Sequence, residues 1–297
     1  MRASRKQPPI RLILLFLLLA GGAGLLSLFP EGAVPLPGAE SPPPPAGSEP
    51  SGKTDEVPAL FPEEILPSVL PALEPEDVLV SHTGYTLSYR SDWKQPEWVA
   101  YELTAEEAEG NFPRRGSFRK DPDVPGGSAS PEDYRGTGYD RGHLCPAGDQ
   151  RWSVEAMRDS FYMSNMSPQA PGFNRGIWSE LEEAVRDFAR ENGRIAVVTG
   201  PVLTEPPLEI TGPGVLPVPQ RFYKVILDFT LPERKALGFI LPNEKSGESL
   251  SCFAVPVDLV EEITGLDFFP DLPDDLESLL ESEADPALWF PAPAGAP

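Results

Sequence analysis

Only two histidines, His82 and His143, occur in the 297 residues, and His143 lies within YDRGHLCP at Tyr139–Pro146. An imidazole titrates near neutrality, so it can accept a proton from water. The plain alternative for a lone histidine is a buried structural ring. Two residues earlier stands Arg141, whose guanidinium suits a phosphate or the negative charge that builds in a transition state. Asp140 could hold Arg141 or His143 in place, or cap a turn. Further on, Phe161–Glu182 reads FYMSNMSPQAPGFNRGIWSELE. Asn174 precedes an amphipathic stretch, where it could cap a helix. It could equally offer one amide oxygen to a cation such as Mg2+, which keeps most of its waters. Glu182 follows eight residues later. On a continuous helix that is about 80° around the axis, on the same side as Asn174. It could hold a cation's waters or be a solvated surface acid beside Glu180 and Glu183. A base, an anchored cation and a guanidinium are what hydrolysis of a phosphodiester requires.

Composition limits the alternatives. The chain has 24 Lys and Arg against 46 Asp and Glu, a net charge of −22. Taken whole, that argues against a nucleic-acid partner, which normally leaves a basic footprint. The acid is unevenly spread, however. Residues 111–190 hold 11 basic and 12 acidic side chains, whereas residues 191–297 hold 6 and 18. The stretch with the candidate chemistry is therefore close to neutral, and local contact with a polyanion stays open. Two cysteines, Cys145 and Cys252, exclude a disulfide-rich scaffold and a four-cysteine zinc site. They could pair with each other in an oxidising compartment, or Cys145 could be a buried free thiol. Two histidines exclude a three-histidine zinc site, and His82 reads as a residue stabilising the start of the domain.

The elements that must position these residues follow from pattern. Residues 1–11 carry four basic side chains and no acid, and residues 12–29 carry no charge. Residues 1–29 read as a signal peptide or an N-terminal membrane anchor, which places the remainder outside the cytoplasm, periplasmic or extracellular. If uncleaved, residues 12–29 would tether the chain to a membrane. Residues 30–75 are a Pro-rich linker. Residues 76–272 form the folded domain, and residues 273–297 read as an acidic, Pro-rich tail. Within the domain, residues 85–103 suggest a strand, a turn and a second strand. A Gly-rich loop, 127–146, leads into a short strand, and residues 153–163 have helical spacing. Residues 174–192 are the clearest amphipathic helix, closed by Gly193. Residues 195–199, 221–229 and 236–241 read as strands and 257–264 as a short helix. Helices and strands mix without regular alternation, so the class is α+β.

The two motif segments resemble the DNA/RNA non-specific endonucleases of the ββα-metal type, a group that includes mitochondrial endonuclease G and secreted bacterial nucleases. DYRGTGYDRGH, RWSVEAMRDSFYMSN, SPQAPGFNRGIWSELE, TGP at 199–201 and VPQRFYKVIL at 218–227 carry the resemblance, which spans about residues 85–270. It implies a mixed or antiparallel sheet flanked by helices, with His143 on a strand of the ββα unit and Asn174 at the start of its helix. It implies His143 as general base, Asn174 as ligand of Mg2+ (or Mn2+), and Glu182 beside the ion. Asn165 would have an orienting role, while Pro168 and Gln169 shape the loop. A further arginine falls on Arg114, with Arg115 adjacent and not separable from it. DNA and RNA are the implied substrates, cut to 5′-phosphate and 3′-hydroxyl ends, and relatives are often dimers, so a homodimer is an expectation. Cys145 departs from the family's usual Ala at that position. Two other readings stay open: an exported phosphodiesterase acting on another substrate, and a non-catalytic nucleic-acid-binding module of the same fold.

Overall fold

The computed structural model describes residues 70–290, apart from Glu205, Gly214, Val215 and Leu231. The charge-free run at 12–29 and the linker as far as residue 69 lie outside the described residues. Among those described, no helix is long and apolar enough to cross a membrane.

The frame is a seven-stranded sheet whose strands run β1 (Leu79–His82), β2 (Tyr85–Arg90), β3 (Gln95–Thr104), β6 (Arg194–Pro201), β9 (Arg221–Asp228), β10 (Lys235–Pro242) and β11 (Ala254–Val255) in spatial order. Every neighbouring pair is antiparallel. The central strands are apolar almost without interruption, because both faces of the sheet are covered. In β6, Ile195 and Val197 face one core and Ala196 and Val198 the other. In β9, Phe222 and Ile226 alternate with Tyr223, Val225 and Leu227 in the same way. A strand buried on both sides has no polar face to show, which is why these runs read so clearly.

One face is covered by α4 (Ile177–Asn192), which buries Ile177, Trp178, Leu181, Val185 and Phe188 along one stripe. Each such side chain contributes roughly 1.5–3 kcal/mol on leaving water. The helix stops at Gly193, whose φ of +83° favours glycine. The opposite face is covered by α5 (Val257–Thr264) and α6 (Asp274–Glu281). A separate two-stranded ladder joins β4 (Asp140–His143) to β5 (Met166–Gln169), pairing Asp140 with Gln169 and His143 with Met166. Another pairs β7 (Ile210–Thr211) with β8 (Leu216–Pro217), and the short α1 (Ala105–Ala108) and α2 (Val154–Asp159) lie in the connections. After β5, the short α3 (Pro171–Asn174) leads into α4, so β4, β5 and α4 form the ββα unit.

Three expectations need correction. The helix expected over 174–192 is broken: α3 ends at Asn174 and α4 begins at Ile177. Gly176 makes the break possible, because a Cβ there would lie 2.6 Å from the Gly172 carbonyl oxygen. Asn174 therefore closes α3 and does not cap α4. Cys145 is buried, Cys252 is exposed, and both are free thiols, so the pairing is not made. The segment from 273 is no loose tail as far as it is described. Leu280 of α6 is buried in the second core, and Trp289 is buried in the first, edge-on to Phe188 with ring centroids 5.0 Å apart. Phe290 packs on Phe188 and Phe239. The acidic residues around these apolar positions hid them.

If Trp289 is part of the core, Trp289→Ala should lower stability by about 3–5 kcal/mol in denaturant unfolding. A midpoint equal to that of the wild type would return the segment to the status of a tail.

Candidate active site

The β4 strand sets His143 at the floor of a cleft of about 540 Å³. The cleft is lined by Arg114, Phe118, Asp140, Arg141, Asn174 and Glu182, and also by Arg175, Ser179 and Arg186. Gly142 is required beside His143, since a Cβ there would lie 2.1 Å from the Gln169 side chain. The His143 ring packs edge-on to Phe161 at 5.1 Å and tilted to Phe118 at 5.6 Å. Its Nε2 is buried and has no hydrogen-bond partner. Burial, and secondarily the charge of Arg114, lowers the His143 pKa to about 3. The ring is thus neutral at ordinary pH and able to accept a proton.

The two phenylalanines also seat the arginines. Arg141 lies over Phe118 at 4.4 Å, and Arg114 over Phe161 at 5.7 Å. Both guanidinium groups therefore stand beside His143, held by cation–π contact. Arg115 lies on a different surface with Arg119 and Arg158. Of the adjacent pair, Arg114 is the one at the cleft.

Asp140 does not hold Arg141 or His143, contrary to one sequence expectation. It reaches across to the end of α3 and the residue that follows it. Its carboxylate takes a two-pronged contact from Arg175, at 2.8 and 2.6 Å, and accepts a hydrogen bond from Asn174 Nδ2 at 2.9 Å. These partners hold the Asp140 pKa below its ordinary value, against the opposing effect of burial. An ionised carboxylate only accepts, so Asn174 must turn its amide nitrogen toward Asp140. Its amide oxygen is then the atom available to a cation. Glu182 is partly buried on the same cleft, and burial pushes its pKa up, opposed chiefly by Lys224. An amide oxygen with a carboxylate nearby suits a hard divalent cation that retains waters.

Asn165 does not line the cleft. It is fully buried, accepts a hydrogen bond from the Cys145 N–H through Oδ1, and donates to the carbonyls of Cys145 and Ser160, each at 2.9 Å. It fixes the chain two residues beyond His143, so it is a positioning residue and does not touch the reacting atoms. Pro168 and Gln169 lie in β5 opposite Arg141 and Asp140. His82 contacts Asp121 at 2.8 Å and stacks on Tyr162, away from the cleft.

Sequence reasoning missed Arg175, Arg186, Asp149 and Lys224. Arg186 stands one turn after Glu182 on α4, and that spacing could have flagged it. It is held by buried Asp149 at 2.7 Å, which also accepts from the Tyr101 hydroxyl. Lys224 is the one cation inside the apolar run FYKVIL. It is buried, without a hydrogen bond, 4.8 Å from the Trp178 ring. Burial lowers its pKa, while Glu182 and Asp149 raise it. Four arginines and two carboxylates line the cleft, so it is locally positive in an acidic chain.

An α+β ββα unit with a neutral histidine, flanking arginines and a turned asparagine defines a hydrolase built for phosphate esters. The family model for DNA/RNA non-specific endonucleases matches residues 72–275, and the chain belongs to that family. It is 35% identical to human mitochondrial endonuclease G over 208 residues, 65% of this chain and 70% of that protein. It is 36% identical to mouse mitochondrial nuclease EXOG over 209 residues, 64% of this chain and 56% of that protein. A nuclease of Syncephalastrum racemosum is 36% identical over 222 residues, 67% of this chain and 69% of that one. A chain in the crystal structure of the EndoG/EndoGI complex superposes with a TM-score of 0.64 at 34% identity, covering 70% of this chain and 91% of the other. The antiparallel sheet flanked by helices agrees with the fold expected from the sequence. The chain is an endonuclease of the hydrolase class.

The His143 environment gives a pH signature. Its folded pKa is depressed, so the unfolded state binds the extra proton between about pH 6.5 and about pH 3. Stability due to this group is full above 6.5 and is lost as pH falls through that window. His143→Gln should flatten this loss in Tm measured against pH. An equally steep loss in the variant would mean that His143 is not held neutral by the fold.

Proposed function

We propose that the chain is a Mg2+-dependent nuclease that cuts DNA and RNA to 5′-phosphate and 3′-hydroxyl ends. The observation that carries this reading is the forced orientation of Asn174, with its amide oxygen free on the cleft that holds neutral His143. Asn174 would hold the ion through that oxygen, with Glu182 facing the ion's hydration waters. When bound, the ion supplies positive charge to a phosphate oxygen and to the leaving 3′ oxygen.

The chain's own residues supply the rest. His143 removes a proton from the attacking water, which bonds to phosphorus as the bond to the 3′ oxygen breaks; the departing 3′ oxygen takes a proton from solvent, and His143 later returns its own to solvent. Arg141 and Arg114 neutralise the non-bridging oxygens as charge accumulates. A phosphate bound between these arginines offsets the charge of Arg114, one of the two causes that depress the His143 pKa. Substrate therefore makes the base stronger at the moment it is needed. The remaining depression comes from burial, which also keeps bulk protons away. The basic residues of 1–11 followed by the charge-free run 12–29 support an exported or membrane-tethered enzyme, and fractionation of the expressing cell tests that placement. An acidic exterior with a positive cleft predicts modest affinity and a shallow salt dependence.

The test is cleavage of plasmid DNA and of RNA by the purified chain. Activity should require Mg2+, cease with EDTA, and fall by about 100-fold or more in His143→Ala and Asn174→Ala. Arg114→Ala should lose about tenfold or more and Arg115→Ala much less. A folded sample that cuts neither polymer with Mg2+, or a His143→Ala variant retaining a tenth of wild-type rate, would overturn this reading. Cleavage of only a small diester would assign it to another phosphodiesterase, and nucleic-acid binding without any cleavage to a binding module.

A further inference from the structure

On the sheet face opposite α4, three carboxylates converge. Asp258 and Glu261 come from α5 and Glu281 from the last position of α6, and one oxygen from each lies within 4.8 Å of the others. Three like charges at that spacing repel strongly unless a proton or a cation lies between them. Proximity alone is common among surface acids. Glu281 is different: it is 2% exposed, and its Oε1 has no hydrogen-bond partner. A buried, unpaired carboxylate oxygen is costly and calls for a compensating group. The charges facing it are all of one sign. Glu261, Glu277, Asp258 and Asp267 each raise its pKa, which with burial as the main cause stands at about 9. Glu261 is partly committed, since its Oε1 accepts from the Phe268 N–H at 2.7 Å. Its second oxygen is not used in that bond.

We propose that Asp258, Glu261 and Glu281 form a binding site for Ca2+ that fastens α6 to α5. Ca2+ takes six to eight oxygens in flexible geometry; beyond the one that Glu261 gives to Phe268, the three carboxylates provide up to five, and waters complete the set. Mg2+ fits less well, because it demands tight octahedral geometry and keeps its waters. The site also secures neighbouring chain. The loop after α5 carries Asp267, whose carbonyl accepts from the Ala72 N–H at 2.8 Å. Fixing α5 and α6 therefore also fixes the start of the described domain. The site contains no residue of the cleft, and its role is stability and not cleavage.

The test is the Tm of the full chain, stripped with EDTA, with and without excess Ca2+ at pH 8. Asn174→Ala serves as a second background in which the cleft's amide oxygen is absent. Saturating Ca2+ should raise Tm by about 5 °C in the wild type and equally in Asn174→Ala. Glu281→Gln, which keeps the shape and removes the charge, should lose this shift while remaining folded and retaining nuclease activity. No Ca2+ shift in the wild type would overturn the proposal, and so would a shift that persists in Glu281→Gln. A shift lost in Asn174→Ala instead would place the ion in the cleft and overturn it as well.

Discussion

The bond between Asp140 and Asn174 joins the strand of the ββα unit to its helical arm. A carboxylate cannot donate, so this one contact decides which end of the Asn174 amide faces the cleft. Arg175 closes on both oxygens of the same carboxylate and holds it ionised. Without that pair, the amide could turn and present its nitrogen, which repels a cation. The rest of the fold serves this geometry. The β4–β5 ladder fixes Asp140, and the break at Gly176 lets Asn174 leave the axis of α4 while Glu182 stays on it.

Charge is partitioned across the sheet. The chain as a whole is strongly negative, yet four arginines line the cleft. Each has a role in the geometry: two rest on phenylalanines beside His143, one is paired with Asp140, and one with Asp149. The acids gather on the other face, around α5 and α6, where Glu281 is buried among its own kind. Long-range attraction to a polyanion is weakened by this arrangement, while contact at the cleft is preserved. The same arrangement creates a strain that a cation at α5 and α6 would relieve.

Much of this was legible in the sequence. The strands β6 and β9 announced themselves because a strand buried on both faces is apolar throughout. The stripe of α4 was equally plain, and the motif segments around His143 and Asn174 pointed to the cleft. What escaped was long-range pairing. Nothing in the local sequence links Asp140 to Arg175, 35 residues away, or Arg186 to Asp149. Arg114 could not be told from Arg115 until the ring of Phe161 fixed one of them at the cleft. The apolar spacing of 174–192 ignores Gly176, so the sequence alone suggests one continuous helix. Residues 273–290 look like a tail because Asp, Glu and Pro surround Leu280 and Trp289, and composition averages over the positions that matter. Cys145 could not be judged as bonded or free, since distance is a property of the fold.

The most direct test of the account is the Mg2+ requirement of Asp140→Asn, measured as the concentration giving half-maximal cleavage. An asparagine at 140 can both donate and accept, so it no longer dictates the orientation of Asn174. With the amide free to turn, the requirement should rise by about 10–100-fold, with a wild-type rate approached at high Mg2+. An unchanged requirement in a variant that folds like the wild type would contradict it.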